Sequence, residues 1–98
     1  TGERLAMKFT VKEVISGDKF IVSPLWEWQA HEGDIVEANG YFAPRISEPG
    51  YEEARKKLEG LILLKEVELT NQIKITNGRL LCDVFWGGRN LANFFPEY

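Results

Sequence analysis

One stretch of this chain repeats its apolar residues with helical spacing, and nearly everything on either side of it alternates with period two. Over residues 51–64, Ala54, Leu58, Leu61 and Ile62 fall at i, i+4, i+7 and i+8, a single apolar stripe that predicts one amphipathic helix. Glu52 and Glu53 stand in its first turn, where the helix dipole favours anions. Each has a lysine four residues on, Lys56 and Lys57, in the favourable orientation for ion pairs. Gly60 interrupts the pattern at a cost of about 1 kcal/mol against alanine, which predicts a close neighbour there. A chain with one helix must bury the rest of its apolar surface in sheet, so the order and closure of the strands decide the fold.

Before the helix, Met7, Phe9 and Val11 alternate with Lys8, Thr10 and Lys12, predicting a half-buried strand. Ser16-Gly17-Asp18 reads as a turn, with Gly17 supplying an awkward dihedral and Ser16 and Asp18 local hydrogen bonds. Residues 19–23 form the partner strand, which Pro24 is expected to end. Leu25-Trp26-Glu27-Trp28-Gln29 reads as a further strand or an ordered loop, with both tryptophans on one side. His31-Glu32-Gly33-Asp34 is turn-like, and a third strand is predicted over 35–42, interrupted at Asn39-Gly40 and followed by the strand breaker Pro44. After the helix, strands over 67–76 and 79–86 flank Asn77-Gly78, the strongest short-range hairpin signal. Gly87-Gly88 then turns the chain into 90–95, a short apolar segment that predicts one helical turn capping the core. The order β-β-β-α-β-β plus a short helix predicts a mainly β (α+β) fold. It is the layout of a five-stranded OB-fold-like barrel with one helix between strands 3 and 4 and a short C-terminal helix.

With 98 residues the chain holds one domain, read as 8–98. Residues 1–7 read as disordered, an expression scar or a join to something upstream. The longest apolar run, 61–64, is far short of the roughly 20 residues a membrane helix needs, so no membrane partner is expected. One cysteine excludes an internal disulfide and one histidine excludes the usual Cys/His zinc site; no metal or cofactor is expected. A cytoplasmic location is favoured by the missing signal peptide and disulfide. The net charge of −3 arises in residues 1–50, which carry five Lys/Arg and eight Asp/Glu against seven of each in 51–98. That balance disfavours strong nonspecific nucleic-acid binding, which rests on a basic surplus.

Catalytic chemistry finds little support in the residue types. His31 lies in a polar segment and Cys82 in an alternating strand, a core position rather than a nucleophile beside a base. Gly87-Gly88 lacks the surrounding pattern of a phosphate loop. The aromatics Phe20, Trp26, Trp28, Tyr41 and Phe42 are candidates for stacking unpaired bases on an OB barrel, against the alternative that most are core. Trp26 and Trp28 bracket Glu27 beside Pro24 and are weighed equally as core and as a ligand or partner surface.

The strand–Ser16-Gly17-Asp18–strand unit and the later Gly40-Tyr41-Phe42-Ala43-Pro44-Arg45 resemble the staphylococcal-nuclease-like (thermonuclease) family. So do the Pro-Gly-Tyr-Glu-Glu-Ala-Arg-Lys-Lys-Leu-Glu helix, Asn77-Gly78-Arg79-Leu80-Leu81-Cys82-Asp83-Val84, and Gly88-Arg89-Asn90-Leu91-Ala92. The resemblance implies phosphodiester cleavage with one calcium, held by two Asp, with two Arg on the phosphate and a Glu activating water. Carried over by position, the first-turn Asp is kept as Asp18 and the last-strand Arg as Arg79. The second metal-ligand Asp falls on Phe42, the Glu on Arg45 and the third-strand Arg on Glu37. The family's later helical region, with an active-site tyrosine, is missing.

The expectation is therefore a non-catalytic nuclease-like OB-fold module that binds single-stranded nucleic acid or a protein partner through Asp18, Trp26, Trp28, Glu37, Phe42, Arg45 and Arg79. No residue is assigned a catalytic role. The reversed charges Glu37 and Arg45 could pair across the old cleft, or stand as two independent solvated charges. The alternatives are a divergent calcium-dependent nuclease with Asp18 and Glu37 as relocated ligands and Arg79 on the phosphate, or a structural domain of a larger chain.

Overall fold

The computed structural model describes residues 8–98; the expectation for 1–7, and Met7 of the first alternation, lie outside the described residues. Five strands close into a mixed β-barrel: β1 (Lys8–Ser16), β2 (Lys19–Trp28), β3 (His31–Ala38), β4 (Glu66–Thr76) and β5 (Arg79–Trp86). Their order is β3-β2-β1-β4-β5, and a parallel pairing of β5 with β3 shuts the ring. The helix α1 (Tyr51–Ile62) follows the third strand, as its stripe predicts. A two-residue strand β6 (Arg89–Asn90) and a 3-10 turn (Leu91–Phe94) complete the chain.

The core is what the alternation selects. Phe9, Val11, Val14, Phe20, Val22, Val36, Leu80, Cys82 and Val84 point into the barrel, and Ala54, Leu58 and Ile62 of α1 pack against it. Leu91 and Phe95 cap it, the Phe95 ring stacked on Tyr41 at 4.6 Å between centroids. Asn77-Gly78 forms the β4–β5 hairpin with both residues left-handed, at φ 53° and 79°.

Four local expectations are corrected. Pro24 does not end β2. It sits in a register shift between Ile21 and Trp26, and the strand continues to Trp28 because no partner strand needs the missing Pro24 N–H. His31-Glu32-Gly33-Asp34 is strand, not turn. The turn is Gln29-Ala30, both left-handed (φ 52° and 65°), a conformation that neither residue type favours. Gly17 has no left-handed φ and is needed for space: a Cβ there would meet the Ala43 and Ala54 methyls at 2.6 and 2.7 Å. Gly60 has no such reason, since a Cβ there would touch nothing within 4 Å.

The β1–β2 turn anchors the end of the barrel where the carried-over residues lie. The Tyr41 hydroxyl donates to the Gly17 carbonyl at 2.7 Å, and the Tyr51 hydroxyl to the Ile15 carbonyl at 2.6 Å. The Ala38 N–H donates to the Asp18 carbonyl at 2.8 Å. Turn, third strand, loop 39–50 and helix are thereby fixed to one another.

Candidate functional site

Strand parity decides what this end shows to solvent. In β3, Val36 and Ala38 point inward, leaving Glu37 on the outer face. Lys19 of β2 lies directly across from Glu37. In the parallel β3–β5 pair, Arg79 is in register with Ile35, two residues before Glu37 on the same outer face. The chain leaves the sheet after Ala38, short of the predicted strand end at 42, and the loop buries Tyr41 and Ala43 and leaves Phe42 83% exposed. Ile46, three residues past Ala43, is 73% exposed.

Three shallow depressions meet at Glu37. The largest, about 690 Å³, runs past Asp18, Phe42, Pro44 and Arg45. A second, about 510 Å³, is lined by Lys19, Arg45, Ile46, Tyr51 and Arg79. The smallest, about 310 Å³, brings Phe42 and Arg79 together with Lys74 and Thr76. The fold thus gathers five of the seven sequence-derived site residues: Asp18, Glu37, Phe42, Arg45 and Arg79.

The other two lie elsewhere. Trp26 is 2% exposed, a core residue whose ring covers Gly33 and whose Nε1–H donates to the Ile35 carbonyl at 2.9 Å. Of its two readings, the core one holds. Trp28 is half-buried at the tip of the β2–β3 hairpin. Of the other aromatic candidates, Phe20 and Tyr41 are also core.

Within the face, the charges are tied down in an order the sequence does not announce. Asp18 is buried and fully engaged: it accepts from Ser16 Oγ at 3.0 Å, from Lys19 Nζ at 3.1 Å and from the Ala43 N–H at 3.3 Å. Its carboxylate holds turn, strand and loop together. Glu37 pairs with Arg79, Nε to Oε1 at 3.3 Å, and not with Arg45. Arg45 sits in a loop held by its own N–H to Glu48 Oε1 at 2.7 Å, and its guanidinium has no ion pair among the described residues. The Tyr41 phenol beneath is pushed above its ordinary range, first by burial and then by the Asp18 charge. No group of three or more His, Cys, Asp or Glu converges in metal-binding geometry among the described residues.

Sequence reasoning missed Lys19, Lys74 and Ile46. Lys19 needed the β2–β3 register. Ile46 carried a usable signal, an apolar residue outside any periodic pattern between Pro44 and Pro49. No protein-family model matches the chain, and no curated protein matches it.

Proposed function

We propose that this chain is a non-catalytic interaction module on an OB-type barrel, related to the staphylococcal-nuclease-like family its motifs resemble, and that it takes a protein partner on the Phe42–Ile46 face. The observation that carries the reading is the pair of large apolar side chains, Phe42 and Ile46, exposed on either side of the unpaired Arg45. A loop pinned at Tyr41 and Ala43 presents them, so little ordering is left for binding to cost. Aromatic and arginine side chains are the usual anchors of such surfaces. The matching partner segment carries apolar side chains next to a carboxylate.

A second reading is single-stranded nucleic acid stacked on Phe42 beside Arg79. It is supported by the depression these two share with Lys74. It is weaker because Lys19 and Arg79 are already neutralised by Asp18 and Glu37, and Ile46 has no π-face for a base. The nuclease reading is weaker still. Its two carboxylates are spent on Lys19 and Arg79, while Phe42 and Arg45 stand where the family resemblance would require acids.

Titrating the ¹⁵N-labelled chain separately with a capped peptide of Leu, Phe and Asp and with a single-stranded oligothymidylate divides these readings. The expected result is amide shifts over 42–46 with the peptide, weakened about fivefold or more in Phe42→Ala, as for an anchor worth over ~1 kcal/mol. The melting temperature of that variant should stay unchanged, because the ring is exposed. Shifts with the oligonucleotide alone would replace the protein partner by nucleic acid. Calcium-dependent cleavage of the oligonucleotide, lost in Asp18→Ala, would restore the enzyme.

A further inference from the structure

The net charge of this chain has a single structural address, away from the Phe42–Ile46 face. Glu27, Glu32 and Asp34 all lie on the β2–β3 hairpin, and residues 24–36 contain no Lys or Arg. The remainder of the chain is balanced, twelve basic against twelve acidic residues, so the hairpin carries the whole −3. None of the three is in an ion pair among the described residues, whereas Asp18, Glu37, Glu52, Glu59 and Glu97 all are. Unpaired acids occur elsewhere too, but only on this arm do three of them share a stretch, 24–36, that holds no Lys or Arg to offset them.

That arm also has open backbone. The parallel pairing of β3 with β5 begins at Ile35, opposite Arg79, where β5 starts. Towards the tip, β3 pairs with β2 alone, through Trp26–Gly33, Glu27–Glu32 and Trp28–His31. Among the described residues, 31–34 therefore have a sheet partner on one side only, and no backbone hydrogen bond fills the other. The opposite edge of the hairpin, along β2, is interrupted by Pro24, which has no N–H to offer. Trp26 stiffens the base of the arm by packing on Gly33 and bonding the Ile35 carbonyl.

An open strand edge is a template for an incoming strand, and charge on it selects what is admitted. A second copy of this edge would set Glu32 and Asp34 against Glu32 and Asp34, so self-pairing is opposed. We propose that the β3 edge, His31–Asp34, takes up an extended basic segment of a partner protein by strand addition. Main-chain hydrogen bonds would supply the grip, and Lys or Arg side chains would answer Glu27, Glu32 and Asp34. Nucleic acid is repelled from this arm by the same charges.

The test uses the native chain, ¹⁵N-labelled, and a capped hexapeptide alternating Lys with Val or Thr. Its partner probe is the same peptide N-methylated at alternate residues, which keeps every charge and removes the edge donors. The proposal expects amide shifts and slowed hydrogen exchange over 31–34 with the plain peptide. It also expects affinity at least tenfold lower for the N-methylated one. In Glu32→Lys/Asp34→Lys binding should fall by a further tenfold or more, and Glu32→Gln/Asp34→Asn should lie between. Equal affinity of the two peptides would reduce the effect to diffuse attraction and overturn strand addition. So would shifts centred on 42–46 instead of 31–34, or no shift at millimolar peptide. Because the peptide probes leave Phe42 untouched, this result and that of the Phe42–Ile46 face stand or fall separately.

Discussion

Gly17→Ala is a small change that the structure predicts to be strongly damaging. A methyl there would lie 2.6 Å from Ala43 Cβ, 2.7 Å from Ala54 Cβ and 3.3 Å from the Ala54 carbonyl carbon. Carbon atoms settle at roughly 3.5–4.0 Å, so the added atom overlaps two neighbours by about 1 Å each. Neither neighbour can turn aside, because alanine has no rotamer to change. Relief must come from the backbone, and both backbones are held: Ala43 N–H by Asp18 Oδ2 at 3.3 Å, Ala54 N–H by the Gly50 carbonyl at 3.0 Å. Overpacking costs ~1–3 kcal/mol, and a clash on two sides against fixed chain belongs at the upper end, about 3 kcal/mol. In a domain of this size that lowers the melting temperature by on the order of 10–20 °C. Since φ at Gly17 is not left-handed, backbone strain adds nothing and the loss is steric alone.

Gly60→Ala is the matched control. It lies inside α1 with open space around it, so it should gain about 1 kcal/mol from helix propensity. Urea unfolding of both variants should therefore move the midpoint in opposite directions at constant slope. A Gly17→Ala midpoint equal to or above the parent would refute the packing of turn against helix.

Gly33→Ala should cost about 1–3 kcal/mol in the same assay, because its methyl would come 2.7 Å from Cζ2 of the buried Trp26 ring; Trp fluorescence unchanged in position and midpoint would contradict this. Gln29→Asn/Ala30→Gly should stabilise the hairpin by about 1–2 kcal/mol by placing at φ 52° and 65° the residues that tolerate them, and a neutral or negative change would mean the turn is not left-handed. Burial pushes the Cys82 thiol from 9 up to about 12, and the Tyr41 phenol also rises above its ordinary 10. Both groups stay protonated in the fold while the unfolded chain ionises, so stability is complete below about pH 9 and falls above it. Urea midpoints measured from pH 8 to 11 should decline, and in Cys82→Ala the decline should begin nearer pH 10; a flat parent profile would refute the assignment.

Local periodicity carried most of the fold into the sequence. The stripe of Ala54, Leu58 and Ile62, the alternation through Phe9 and Val11, and Asn77-Gly78 each state their own geometry within a few residues. The β2–β3 hairpin failed because its rules are tertiary. Pro24 is tolerated where β2 slips register, and Gln29-Ala30 takes a turn that would ordinarily read Asn-Gly. Gly17 shows the same limit from the other side. Its identity was legible, but its reason was not, because Ala43 and Ala54 are remote in sequence.

The site divides along the same line. Tyr41 and Phe42 fall within the third strand predicted from the sequence, yet β3 ends at Ala38 and it is the loop after it that buries Tyr41 and exposes Phe42. Which cation neutralises Glu37 is a long-range fact. Two charge reversals, at Glu37 and Arg45, suggest that the reversed residues pair. Yet Glu37 is on a strand, and the parallel closure of β3 with β5 delivers Arg79 to the same outer face, 3.3 Å away. Arg79 needs no loop to be ordered for that contact, because both side chains stand on hydrogen-bonded backbone. Arg45 stands on a loop and would have to give up side-chain freedom for an exposed pair worth ~1 kcal/mol at most. The barrel closure thus decides the pairing: of the two arginines, Arg79 is spent on Glu37, while Arg45 is left facing solvent between Phe42 and Ile46.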